Sequence, residues 1–479
     1  MKNKRLKLII SIFLLVICSM IKNTNNKILK EEKNNINENK KLLFVWEHFR
    51  HGARDPYTQV DLKTWIDFIG VQWKSQGELN SLGLRSHYLL GVATRKKYDN
   101  FLSQNYDPNE IWIISTDVNR TIMSAMANLQ GIYNNLSTFN LTNLQINNSK
   151  INNLNGTYKI KIDEKINELN NSYIQNGINI IPIHLFSKYG LQFKLNDDDY
   201  CPGIKNYKDE ANNQTKVKKL INDFNRYTND TYGKYIFKFM NVSWENNPNY
   251  IWEDSNLYYI CDTYIADYFS GRDMPHIKNT GINMKDFYYH SLDHSYINTY
   301  YVNYGNPPTN ASYLTVSPIF RTIFNYMDRR IYINDNHLKN TNSSSPKYVI
   351  YSGHDSTVGA IDVFLKDVYY IPYENPEYTT SQYFELWEID NKYYIKYLVN
   401  QKERAFFEYD YFKKNTMEKL FSQDEVEEIC LGSEPDKKNH IIEQEDIFKK
   451  IFFIVLSIGI VAFLLLISLI ILEKKRKLY

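Results

Sequence analysis

Cysteine is scarce in this chain, with four in 479 residues at Cys18, Cys201, Cys261 and Cys430, and so thin a set excludes a disulfide-dense scaffold. No Cys or His grouping has the spacing of a zinc site, and Glu47-His48-Phe49-Arg50-His51 lacks the paired helical histidines of a metalloprotease face. An excess of one charge is missing too. Lys and Arg number 57 against 54 Asp and Glu, a formal +3, which argues against a nucleic-acid platform. No internal repeat is present. The 40 tyrosines accompany heavy use of Asn, Lys and Ile and read as compositional bias.

What the chain does have begins with two apolar runs. Met1 to Lys7 is basic and Leu8 to Ile21 is apolar, too short for a comfortable span but right for a secretory signal, so residues 1–21 are expected to be a signal peptide. Val16-Ile17-Cys18-Ser19-Met20 offers no clear small-residue pair, which leaves both cleavage and retention as a signal anchor open. Ile451 to Leu472 is long enough to cross a bilayer as a helix, and Glu473-Lys474-Lys475-Arg476-Lys477 follows as a basic cytosolic stop. The expectation is a single-pass type I membrane protein with a lumenal or extracellular body. Asn-x-Ser/Thr acceptors at Asn135, Asn140, Asn147, Asn155, Asn170, Asn213, Asn229, Asn241, Asn310 and Asn342 fit that topology, though an Asn-rich chain generates many by chance. The tail (473–479) carries no tyrosine-based sorting signal, because its only tyrosine is the terminal Tyr479.

Three segments share one design. Leu42-Leu43-Phe44-Val45-Trp46, Glu110-Ile111-Trp112-Ile113-Ile114 and Lys347-Tyr348-Val349-Ile350-Tyr351 are short apolar strands that run into polar, chemistry-bearing residues. A mainly parallel sheet flanked by helices brings such strand ends to one edge, so the fold class expected is α/β with one C-terminal transmembrane helix. After a polar linker (22–40), the body should run over 41–432, with an α/β core at 41–133 and 341–432. Residues 134–340 are too long for a crossover and are expected to hold a large helical cap, with Asn134 to Asn176 as a surface insertion. Phe384 to Ile389, a turn at Asp390-Asn391, and Tyr393 to Val399 predict a hairpin. Residues 433–450 read as a stalk.

The first strand ends in Phe49-Arg50-His51-Gly52-Ala53-Arg54-Asp55-Pro56. A neutral imidazole is a competent nucleophile. Arginines on either side offer planar donors that stay charged, which suits a phosphoryl group. Gly52 is expected to let the backbone turn sharply and come close to a bound oxyanion. Ser115-Thr116-Asp117-Val118-Asn119-Arg120-Thr121 adds Arg120 at a helix start, where free N–H groups favour an anion. Ser352-Gly353-His354-Asp355 ends the third strand. Asp55 could pair with Arg54 or cap the following segment, and capping is the preferred reading. His48 and His87 are expected to be structural.

These motifs, together with Gly77-Glu78-Leu79-Asn80-Ser81-Leu82-Gly83, resemble the histidine acid phosphatases of the wider histidine phosphatase superfamily over about Lys41 to Cys430. The resemblance implies that His51 attacks phosphorus and becomes a phosphohistidine, that Arg50, Arg54, Arg120 and His354 hold the phosphoryl oxygens, and that Asp355 protonates the leaving alcohol. It implies no metal and no cofactor, a small-molecule phosphate monoester as substrate, a disulfide between Cys201 and Cys430 with Cys261 left over, and a homodimer. An acid that must be protonated beside a phosphate predicts an optimum below neutrality, in a lysosome, phagosome or secretory vacuole, or at the cell surface. Selective action on lysophosphatidate or inositol phosphates, or an inactive binding or adhesion ectodomain, are the rival readings. Retention of all six polar residues counts against the last.

Overall fold

The computed structural model describes residues 40–56, 76–134, 141–148, 168–169, 180–185, 195, 197–198, 200–240, 254–336, 338 and 345–431. The expected signal peptide, stalk, membrane span and tail, and the linker up to residue 39, lie outside the described residues, as does most of the Asn-rich insertion. Among the described residues no helix is long and apolar enough to cross a membrane.

Among the described residues seven strands form one sheet in the order β3-β2-β4-β1-β5-β6-β7: β1 (Lys40–Arg50), β2 (Ile111–Ser115), β3 (His184–Leu185), β4 (Tyr348–Gly353), β5 (Ser381–Ile389), β6 (Lys392–Val399) and β7 (Lys402–Glu408). The first four lie parallel, as the apolar runs predict, and β5 to β7 extend the sheet as an antiparallel meander. The β5–β6 turn falls at Asp390-Asn391, both with positive φ (49° and 61°), which matches the strand twist at a two-residue hairpin. Asn400-Gln401 repeats this geometry (48° and 64°) and leads into β7, a strand the sequence reading did not include.

Among the described residues ten helices of nine residues or more accompany the sheet: α1 (Ser81–Lys97), α2 (Asn119–Ile132), α3 (Ile204–Asn213), α4 (Thr215–Met240), α5 (Asp254–Phe269), α6 (Met284–Tyr296), α7 (Asn310–Asp335), α8 (Asp355–Tyr369), α9 (Tyr409–Met417) and α10 (Gln423–Leu431). A strand covered on both faces reads as a near-continuous apolar run, and the Leu43–Trp46 stretch of β1 shows why. Phe44 and Trp46 pack into the cluster shared with α7 and α8, while Val45 and Phe49 pack oppositely, with Ala125 and Leu129 of α2. Burying each of these large side chains contributes about 2–3 kcal/mol. On that second face α1 and α2 cross closely. A Cβ on Gly91 would stand 2.0 Å from the Asn128 carbonyl, and one on Gly131 2.1 Å from that of Tyr88, so the crossing requires glycine in both helices.

The region between the second and third core strands contains its own apolar core, built from Tyr232 and Ile236 of α4, Leu257, Ile260, Cys261 and Tyr264 of α5, and Phe287 of α6. A π-helix (Ile297–Val302) follows α6 directly. Helix α7 also lies within the stretch expected to form the cap, yet Leu314, Phe320 and Phe324 belong to the main core cluster with β1. Cys201 and Cys430 form a disulfide across 229 residues of chain. Cys261 is buried and free, and burial pushes its thiol up to about 12. Of the glycosylation acceptors, Asn213 and Asn310 are exposed.

Candidate active site

The parallel register of β1 with β4 sets Arg50 opposite Gly353, and that of β2 with β4 sets Ser115 opposite Ser352. The three polar strand ends therefore meet at the carboxyl edge of the sheet. His51 continues this edge: its N–H donates to the Gly353 carbonyl (3.0 Å) and its carbonyl accepts from Thr379 (3.3 Å). The His51 and His354 rings lie 5.8 Å apart, edge to face.

His51 is buried, and its Nδ1 lies 2.8 Å from the Gly52 carbonyl. A carbonyl only accepts, so Nδ1 carries the proton and Nε2 keeps its lone pair. Burial, then the charges of Arg120 and Arg50, hold the ring well below the usual histidine range, which keeps it neutral. Arg50 extends beside it, donating to the Pro376 carbonyl (2.6 Å), pairing with Asp355 (2.8 Å) and stacking on Tyr378 (4.5 Å). Arg54 pairs with Asp262 of α5 at 2.8 Å. Arg120 stands in the first turn of α2, whose N-cap has no side-chain acceptor. Burial and the neighbouring Arg54 lower the Arg120 guanidinium from its ordinary value, against the pull of Asp355. Each of the three arginines buries an Nε–H that has no hydrogen-bond partner among the described residues. Buried donors are nearly always satisfied in folded proteins, so three orphans beside a neutral imidazole describe an anion cradle.

His354 is the N-cap residue of α8 and Asp355 its first residue. His354 Nε2 lies 3.0 Å from the Thr116 hydroxyl, which lies 2.9 Å from that of Thr121. Asp355 accepts from the Ser356 N–H (2.9 Å). Burial alone would raise its carboxyl, but Arg50, His354 and Arg54 together hold it below the usual carboxylate range. In the free protein it is therefore the counter-ion of Arg50.

All six residues singled out in sequence, Arg50, His51, Arg54, Arg120, His354 and Asp355, converge here. The structure bears on two expectations about the signature turn. Gly52 needs no positive φ there. Its Cβ would instead stand 2.6 Å from the Gly83 carbonyl, and a Cβ on Gly83 2.2 Å from that of Ala53. The pair lets the start of α1 press against the turn, and that start is fixed by Asn80, whose side chain accepts from Gly83 N–H at 3.0 Å. Asp55 does not pair with Arg54 through its side chain: its carboxylate binds Arg272, which also reaches Asp267 of α5 (3.2 Å), and the segment it was expected to cap, from residue 57, lies outside the described residues. Arg54 takes only the Asp55 backbone carbonyl (3.2 Å). His87 is buried with Nε2 3.2 Å from the Arg50 carbonyl, and His48 is buried against Tyr351; burial lowers both to about 3.

Sequence reasoning missed Ser124, whose hydroxyl lies 3.1 Å from the Gly52 N–H. Its place one turn after Arg120 could have raised it. It also missed Asp262, Arg272 and Tyr378, which sit in no local motif. Asp262 and Asp355 line one cavity of about 530 Å³ together with Tyr258, Tyr259, Asn298 and Thr299, the last two from the π-helix, a form frequent at functional sites.

Three arginines stand around a buried histidine held neutral, at the carboxyl edge of an α/β sheet. A family model of the histidine phosphatase superfamily (branch 2) matches residues 41–400, and the chain belongs to that superfamily, as the motifs predicted. Prostatic acid phosphatase of Homo sapiens is 41% identical over 95 residues, 20% of this chain and 24% of that protein. Lysosomal acid phosphatase of Xenopus laevis is 38% identical over 96 residues, 20% of this chain and 22% of that protein. The chain thus spans about a quarter of the length of the curated relatives it matches. The solved phytase of Citrobacter braakii aligns over 81% of this chain and 99% of its own with a TM-score of 0.54 at 12% identity, a likeness of fold alone.

Proposed function

We propose that this protein is an acid phosphatase that hydrolyses phosphate monoesters through a phosphohistidine on His51. The observation that carries the reading is the fixed tautomer: Nδ1–H is bound to the Gly52 carbonyl, so the lone pair on Nε2 is presented among three arginines. In the first step Nε2 bonds to phosphorus while the P–O bond to the alcohol breaks, and the alkoxide takes the Asp355 proton. In the second, water adds to phosphorus, the N–P bond breaks, and Asp355 accepts the proton. The arginines and His354 stabilise charge on the phosphoryl oxygens, the largest contribution expected in such a site. Because Asp355 is held low by Arg50 in the free protein, it becomes an acid only when a bound phosphoryl group engages Arg50 and adds its own negative charge. Low pH favours the same state. The named acid phosphatases among the relatives support this assignment.

The same reading makes the chain a type I membrane protein, with residues 1–21 as signal, 451–472 as span and the phosphatase body in a lumen or outside the cell. Homodimerisation remains part of the proposal through resemblance to the family.

The test is p-nitrophenyl phosphate hydrolysis by the full-length chain from about pH 4 to about pH 8, with chelator present. Activity should peak in acid and fall by at least about 10³-fold in His51→Ala. Asp355→Asn should lose much more rate on an alkyl phosphate than on the p-nitrophenyl ester, whose leaving group needs little protonation. A folded wild type no faster than His51→Ala would overturn the proposal in favour of a binding-only ectodomain or a narrowly selective enzyme.

A further inference from the structure

We infer that Asp262 is a specificity-determining residue that selects substrates by the charge of the leaving group, admitting neutral or cationic alcohols and rejecting anionic ones; this rests on the phosphatase reading above. The cradle meets the charge of the transferred phosphoryl group with Arg50, Arg54 and Arg120. The leaving alcohol must lie on the other side of the phosphorus, towards Asp355, and the space there is the cavity of about 530 Å³ that Asp355 and Asp262 line. Among the described residues, that cavity is walled by tyrosines, amides, hydroxyls and these two carboxylates, with no Lys, Arg or His.

Asp262 reaches this wall from the middle of α5. It spends Oδ1 on Arg54 (2.8 Å), while its Oδ2 has no hydrogen-bond partner among the described residues. When a phosphoryl dianion engages Arg54, the carboxylate loses part of its compensation and its charge is felt by whatever lies in the cavity. With Arg54 shared between Asp262 and the phosphoryl group, a second phosphate or a carboxylate on the alcohol would then face Asp262 with no described cation lining the cavity itself, whereas an ammonium group would be attracted. Inositol polyphosphates are disfavoured on this argument, although a phytase shares the fold.

Three sugar esters that present the same primary phosphate test this: glucosamine 6-phosphate, glucose 6-phosphate and 6-phosphogluconate, with leaving groups that are cationic, neutral and anionic near pH 5.5. For the full-length wild type, kcat/KM should fall in that order, with about tenfold between first and last. Asp262→Asn keeps an oxygen for Arg54 but removes the charge, and should compress the ratio to about threefold or less. The ratio is the readout because a general loss of activity does not move it. Equal rates on the three esters, a preference for 6-phosphogluconate, or an unchanged ratio in the variant would overturn the inference while leaving the phosphatase reading intact. Hydrolysis of none of the esters, nor of p-nitrophenyl phosphate, would overturn both.

Discussion

The two walls of the site are built differently. The wall proposed to hold the phosphate consists of residues within a few positions of a strand end: Arg50 and His51 at the end of β1, Arg120 just past β2, and His354 and Asp355 just past β4. The sheet register alone aligns them. The cap wall comes from α5 and the π-helix, where Asp262, Asn298 and Thr299 are held by the packing of a separate helical core. Chemistry that must be positioned to a fraction of an ångström is fixed by backbone ladders, while the surface that meets the variable half of a substrate is carried by helices whose placement depends on side-chain packing.

The strongest way to break that contrast is within the cradle. Arg120→Ala should lower kcat by about 10²–10³-fold without changing the preference among leaving groups. If it altered that preference as much as the rate, the division between the two walls would be lost. Arg120→Lys, which keeps charge but not the planar fork, should recover only part of the rate.

Next comes the contact on which the signature turn rests. In Gly83→Ala the new methyl would stand 2.2 Å from the Ala53 carbonyl, so α1 must retreat from the turn. We expect a loss of about 3 kcal/mol in denaturant unfolding, with kcat reduced beyond the change in KM. A variant as stable and active as wild type would show that the turn does not depend on α1.

A third effect separates buried acids of the core from Asp355. Glu47 on β1 is buried, accepts from Tyr383 (3.0 Å) and Tyr348 (2.5 Å), and burial raises it to about 7. Burial likewise raises Asp362 of α8 to about 7. A folded value above the unfolded one means that the fold favours the protonated carboxyl. The associated stability is present below the unfolded value and is lost as pH rises from about 4.5 through about 7. For Glu47 the loss is about 3 kcal/mol by the neutral side. Melting temperature should therefore fall between pH 5 and pH 7.5 in wild type and fall less in Glu47→Gln. An equal decline in both would dismiss Glu47 as its source. Asp355 behaves oppositely, since its folded value is depressed and its contribution disappears in acid.

The smallest expected effect concerns the tie between the walls. Arg272 binds Asp55 in the signature turn and Asp267 on α5. Arg272→Ala should cost about 1–2 kcal/mol in unfolding and raise KM a few-fold with kcat nearly retained. A collapse of kcat instead would place the cap within the catalytic geometry rather than beside it.

The sequence by itself determined the three strand-end motifs, the parallel core they require, the family and the hairpin at Asp390-Asn391, because each is written in a few adjacent residues whose spacing matches one element boundary. It did not determine that Gly52 serves close approach to Gly83, that Asp55 binds Arg272, or that Asp262 holds Arg54. Those pairings join positions about 30 to more than 200 residues apart, and no local propensity or periodicity carries information about which distant side chain arrives at a given site. Tertiary structure decided them because the packing of α1 against the turn, and of the cap core above the sheet, brings these partners within contact only once the whole chain is folded.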